Sequence, residues 1–141
     1  MREVDLTRVR DLVGQIQDAQ RRLNILAKIP EEEFLADFRN TESAKYLLMV
    51  AIEAAIDICN HIVARQGGRA PQDYADCMTV LSEMGVIPSD LCERLRKMAR
   101  FRNLLVHLYW QVDNHIVFRI LKEEIQDLDD YVLNILEYLE L

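Results

Sequence analysis

Four residues with reactive side chains stand within positions 102–109 of the chain: Arg102, Asn103, His107 and Tyr109. The imidazole of a histidine titrates near neutral pH, an arginine is a permanently charged fork suited to phosphate, and an amide can orient either of them. On a helix, Asn103 and His107 are four apart and share a face. Arg102 precedes His107 by five residues, about 140° around the helix, and needs its long side chain to reach the same place. Arg100, seven before His107, returns to the histidine's face. These are the parts needed to cut RNA without a metal ion. The RNA supplies its own 2′-hydroxyl nucleophile, and the protein has to move a proton and stabilise a charged phosphorane. A single histidine at the end of an apolar helix is also a common hydrogen-bonded structural residue, so spacing by itself leaves both readings open.

The charge distribution favours the same stretch. The chain carries a formal net charge of -7, which argues against a surface that binds nucleic acid everywhere. Residues 91–110 nevertheless hold Arg94, Arg96, Lys97, Arg100 and Arg102 against the single acid Glu93. Lys97 and Arg100 are therefore candidate phosphate contacts beside the motif. Residues 121–141 are acidic, with one lysine against seven carboxylates; they suit either a solvated surface or the basic face of a partner.

The elements that must position these residues are helical. There are only four glycines and three prolines among 141 residues, too few turn formers for a many-stranded protein. Apolar residues at steps of three and four predict a helix over 5–27. A short acidic-ended helix follows over 31–38, and a long one, capped by Asn40 or Thr41, continues to about 66. The apolar surface of that third helix is too wide for one contact face, which makes it central. Gly67-Gly68 ends it, Pro71 opens a short helix over 72–84, and Gly85 closes that one. Ser89 is the expected N-cap of the motif helix, which runs to about His107 or Leu108. A turn over 109–114 then leads into a last helix that keeps its spacing to the C-terminus. The whole chain, 1–141, reads as a single all-α domain, an up-and-down bundle of four to five main helices.

No apolar run reaches the roughly 20 residues of a membrane span, and the N-terminus is too polar for a signal peptide. Cys59, Cys77 and Cys92 form no C-x-x-C pair and suit a reducing compartment. A cytoplasmic protein is the expectation.

The pattern Arg-x4-His-x-Tyr, written here as Arg102, His107 and Tyr109, resembles the signature of HEPN-domain proteins of the HepT ribonuclease kind. Similarity extends to Leu81-Ser82-Glu83-Met84-Gly85-Val86-Ile87-Pro88, to Tyr109-Trp110-Gln111-Val112-Asp113, to Phe34-Leu35-Ala36-Asp37, and to the stretch 51–62. The resemblance implies a HEPN-like helical homodimer in which two copies of the motif face each other across a cleft and cut RNA together, without metal or cofactor. His107 is then the general base or acid, Arg102 the phosphate ligand and Asn103 their support. It also implies the toxin of a type VII-like toxin–antitoxin pair, whose MntA-like nucleotidyltransferase antitoxin silences it by attaching AMP to Tyr109. An adduct two residues from His107 would add negative charge and bulk where the RNA phosphate must sit. A second reading is a catalytically silent helical binding partner of a minimal nucleotidyltransferase; a third is a purely structural helical dimer.

Other residues have plainer expectations. His61 has no companion ligand at helical spacing and reads as structural rather than metal-binding. His115 is expected as an exposed loop or cap residue. Glu53 and Asp57 share a face of the central helix, and as acids within an apolar surface they are expected to meet basic residues of the motif helix. The chain has no Gly-rich phosphate loop, H-E-x-x-H, zinc spacing or Gly-x-Ser-x-Gly elbow, which removes the commoner enzyme classes.

Overall fold

The computed structural model describes residues 3–141. Among them seven α-helices follow in order: α1 (Leu6–Ala27), α2 (Glu31–Ala36), α3 (Phe38–Arg65), α4 (Tyr74–Glu83), α5 (Ser89–His107), α6 (Asn114–Glu123) and α7 (Gln126–Tyr138). A 3-10 turn at Tyr109–Gln111 joins α5 to α6. The all-helical expectation holds, and no strand occurs among the described residues.

The central role expected of the third helix also holds. α3 packs against all six other helices. Its side chains Ala44, Leu48, Ala51, Ile52, Ala54, Ala55, Ile58 and Ile62 are buried in one continuous core. By length and composition it is the one helix among the described residues able to cross a membrane, although no uninterrupted apolar run reaches that length. Here its apolar surface is the centre of the bundle. The start of α1 lies against the end of α3, where the backbone N–H of Asp5 donates to His61 Nε2 at 2.9 Å and Arg65 donates to the Glu3 carbonyl at 3.0 Å. Arg102 late in α5 meets Glu53 in the middle of α3, and Tyr109 just beyond α5 meets Glu42 near the start of α3. α3 therefore runs antiparallel to both α1 and α5, as an up-and-down bundle requires.

Several boundaries differ from the sequence reading. α3 is capped by Asp37, whose carboxylate accepts from the Arg39 N–H at 2.9 Å. Asn40 and Thr41 already lie inside the helix, where the Thr41 hydroxyl donates to the Phe38 carbonyl at 3.2 Å. α4 starts at Tyr74 behind an Asp73 cap, later than the 72–84 expected. Ser89 is the first helical residue of α5 and Pro88 occupies the cap position without a side-chain bond. The last helix is broken in two at Glu124 and Ile125. Gly85, with φ 78°, and Gly67, with φ 77°, supply the left-handed turns that end α4 and α3.

One buried polar bond ties the last helix to the centre. Tyr131, fully buried, donates its hydroxyl to the Ala55 carbonyl at 2.8 Å across α3 and α7. We expect Tyr131→Phe to lower stability by about 1–2 kcal/mol with no change of fold, since it removes one buried donor without altering shape; urea unfolding measures it. The three cysteines are free and buried, as expected of small core residues.

Candidate active site

The burial of Leu91, Leu95, Met98, Ala99 and Leu105 fixes the orientation of α5. It turns Arg100 and His107 to solvent and leaves Arg102 and Asn103 half-buried. His107 is the last residue of the helix, which the Leu108 N–H closes with a bond to the Leu104 carbonyl at 2.8 Å. Arg102, Asn103, Val106 and His107 form one wall of an open groove, and Asp73 and Tyr74 at the start of α4 form the other. Despite the five-residue step between them, Arg102 and His107 thus line the same groove.

Arg102 is held from three sides. Its Nε and Nη2 donate to Glu53 Oε1 at 3.1 and 2.9 Å, its Nη1 donates to Asn103 Oδ1 at 3.1 Å, and the guanidinium lies 5.0 Å from the centre of the Tyr74 ring. Of its five N–H groups, two remain for a phosphate oxygen. Glu53 meets the motif helix as expected; Asp57, expected to do the same, makes no ion pair among the described residues and lines a small cleft with Glu53, Ile56, Tyr74 and Arg102.

Much of the positive charge of α5 is matched within the chain. Arg94 bonds Asp127 at 2.9 Å and approaches Asp90 and Asp130, and Arg96 lies 3.8 Å from Glu93. Part of the acid of α7 is therefore directed at α5. Lys97 and Arg100 have no ion-pair partner among the described residues and are exposed. Arg100 lies two turns below His107 on the same face, but Lys97 lines a different groove, between α5 and α6, with Phe101 and Arg119. Of the two phosphate contacts expected from sequence, Lys97 thus lines that second groove, and Arg100 is not among the residues that line the motif groove.

Tyr109 turns away from that groove. Its hydroxyl donates to Glu42 of α3, and the Lys45 ammonium stands 4.3 Å from its ring centre and 3.2 Å from Glu42. Burial, then the bond to the Glu42 carboxylate, push the phenol up to about 12. The same bond, joined by Lys45, holds the Glu42 carboxyl below its usual range. Asp73, Tyr74, Glu42 and Lys45 were not among the sequence candidates. The available signal was Lys45 itself, a lysine on the buried face of the central helix that needs a partner.

Of the remaining histidines, His61 has the structural contact expected of it, whereas His115 is exposed as expected but lies within α6 rather than in a loop or at the cap. His61 accepts the N–H of Asp5, and burial holds its pKa below the usual value. His115 is exposed in the first turn of α6, where Asp113 caps its N–H at 2.8 Å, and its Nδ1 lies 3.3 Å from Glu31.

Residues 16–135 match the protein family described as "Ribonuclease HepT-like". The chain is 32% identical over 100 residues to the mRNA nuclease HepT of Shewanella oneidensis, covering 71% of this chain and 75% of that one. It is 26% identical over 130 residues to the tRNA nuclease HepT of Aphanizomenon flos-aquae, covering 92% and 86% of the two. The fold superposes with a TM-score of 0.83 on the tri-AMPylated Shewanella oneidensis HEPN toxin in complex with MNT antitoxin, at 27% identity and covering 91% of this chain and 96% of that one.

Proposed function

We propose, given that the chain belongs to the HepT-like ribonuclease family, that it is a metal-independent RNA endonuclease and the toxin of a toxin–antitoxin pair. The observation that carries this reading is the open groove in which Arg102, Asn103 and His107 stand together. His107 exchanges the proton between solvent, the 2′-hydroxyl and the leaving 5′-oxygen. Arg102, braced by Glu53, Asn103 and Tyr74, offers its remaining N–H groups to the phosphorane oxygens, and Arg100 holds the next phosphate. A homodimer accounts for what surrounds the groove. Leu104, Val106 and Leu108 are 40–45% exposed and Trp110 is 91% exposed, an apolar patch at the motif end of the bundle that a second copy would cover. The two grooves then meet as one cleft.

Control acts at Tyr109, as the acceptor of AMP from a nucleotidyltransferase antitoxin, a reading supported by the AMPylated relative in complex with its antitoxin.

The proposed chemistry has a direct test. We expect a labelled RNA to be cut in excess EDTA, and its counterpart with a 2′-deoxyribose at the cleaved position to stay intact. Dependence on added metal, or cutting at the deoxy position, would remove the proposed mechanism.

A further inference from the structure

The surroundings of Tyr109 bear on how it accepts its modification. A phenol pushed to about 12 is ionised in only about one molecule in 10⁵ at pH 7. It is a poor nucleophile unless a base removes its proton during attack. The side chain bonded to that hydroxyl is a carboxylate from α3, Glu42. Lys45, 4% exposed, holds the same carboxylate at 3.2 Å and lies against the Tyr109 ring. The Glu42 side chain is 44% exposed, so the oxygen end of the cluster opens to solvent and to anything docked there.

We propose that Glu42 is the general base for nucleotidyl transfer to Tyr109, so that the toxin itself supplies the base for its own modification, with Lys45 as its electrostatic partner. This rests on the reading of Tyr109 as the AMP acceptor. Tyr109 Oη attacks the α-phosphorus of a nucleoside triphosphate held by the antitoxin. The Oη–P bond forms, the bond from that phosphorus to the oxygen bridging it to the β-phosphate breaks, and pyrophosphate leaves. The phenolic proton passes to the Glu42 carboxylate to which it is already bonded. Before transfer, Glu42 and Lys45 neutralise each other; afterwards Glu42 is neutral and the ammonium faces a tyrosyl phosphodiester of single negative charge. The proton transfer thus switches on a counter-charge for the product.

A glutamate that merely clamps the 3-10 turn would give the same static picture, and Glu42→Gln separates the two roles because it keeps size and hydrogen bonding while removing basicity. The reaction contains the full-length chain, its MNT-type nucleotidyltransferase and ATP. Initial rates of AMP incorporation are read by intact-protein mass spectrometry between pH 6 and 9, with thermal unfolding as the check on folding. We expect a wild-type rate that changes little with pH and an E42Q rate about 10²-fold lower at pH 7. The E42Q rate should climb about tenfold per pH unit as phenolate accumulates, and Glu42→Asp should recover part of the loss. An E42Q rate and profile equal to wild type would assign the base to the partner and overturn the inference while leaving Tyr109 as acceptor. A slowed E42Q with the wild-type pH profile would make Glu42 a clamp, and overturn it too. A wild-type chain modified elsewhere than Tyr109 would overturn the acceptor reading and the inference with it.

Discussion

Replacing His107 with alanine is expected to abolish detectable RNA cleavage while the helical bundle stays intact. Loss of a positioned general acid or base lowers a rate by about 10²–10⁴-fold. His107 is the only histidine lining the motif groove; His61 is bonded to the start of α1 and His115 sits on α6 beside Glu31, so neither can take its place. The side chain is exposed and makes no hydrogen bond among the described residues, and surface substitutions of this kind change stability by about 0.5 kcal/mol or less. A cleavage assay on labelled RNA, run beside a circular-dichroism melt, tests both halves. Retained cleavage in a folded His107→Ala protein would withdraw the histidine from the mechanism, and loss of cleavage with a collapsed melt would make it structural. The proposed antitoxin adds a further contrast. Tyr109 lies across α3 contacts rather than in the groove, so AMP incorporation at Tyr109 should persist in the His107→Ala chain.

How far the sequence exposes this arrangement depends on the range of the interaction concerned. The α1 helix was legible to within a residue because Asp5, its cap, and the apolar steps from Val9 to Leu23 are local signals. The start of α3 was not, because Asp37, Asn40 and Thr41 are all cap formers within five positions and local chemistry does not choose among them. The choice follows from packing: Phe34 of α2 is fully buried, its ring centre 5.0 Å from that of Phe118 in α6, and holding α2 there leaves Asp37 alone to make the turn. The break between α6 and α7 was invisible for a similar reason. No glycine or proline marks it, and the apolar spacing continues through Ile125. There the Gln20 side-chain amide of α1 donates to the Ile125 carbonyl, a contact 105 residues distant made beside that carbonyl's 3.1 Å bond from the Leu128 N–H. The same division runs through the site. Arg102, Asn103 and His107 stood out as candidates from their spacing on one helix and from the family motif they resemble, and the Glu53 pairing followed from acids placed on an apolar face. The meeting of Tyr109 with Glu42 and Lys45 depends on the antiparallel register of α3 and α5, which no local pattern records.

Arg102 carries the second large effect, and its surroundings say what kind. A lysine at this position keeps the charge, but a point ammonium cannot serve Glu53, Asn103 and a phosphate oxygen from one planar fork. We expect Arg102→Lys to lower cleavage by about 10²-fold and Arg102→Ala by at least as much, comparable to removing a preorganised donor from a developing oxyanion. Loss of stability should be about 1–3 kcal/mol, because the Arg102 side chain is only 16% exposed and its hydrogen bonds to the half-exposed Glu53 are charge-assisted. The deficit should fall on kcat more than on KM, since the braced guanidinium meets charge that grows in the transition state. An unchanged kcat with raised KM would reduce Arg102 to a docking contact. The proposed dimer makes a stricter demand on the same residue. If the two grooves serve one cleft, mixing Arg102→Ala with His107→Ala chains produces heterodimers that still hold one arginine and one histidine, and part of the activity should return although each variant is inactive alone. Full inactivity of such a mixture, with subunit exchange verified by native mass spectrometry, would mean that each chain needs its own Arg102 beside its own His107, and the shared cleft would have to be abandoned.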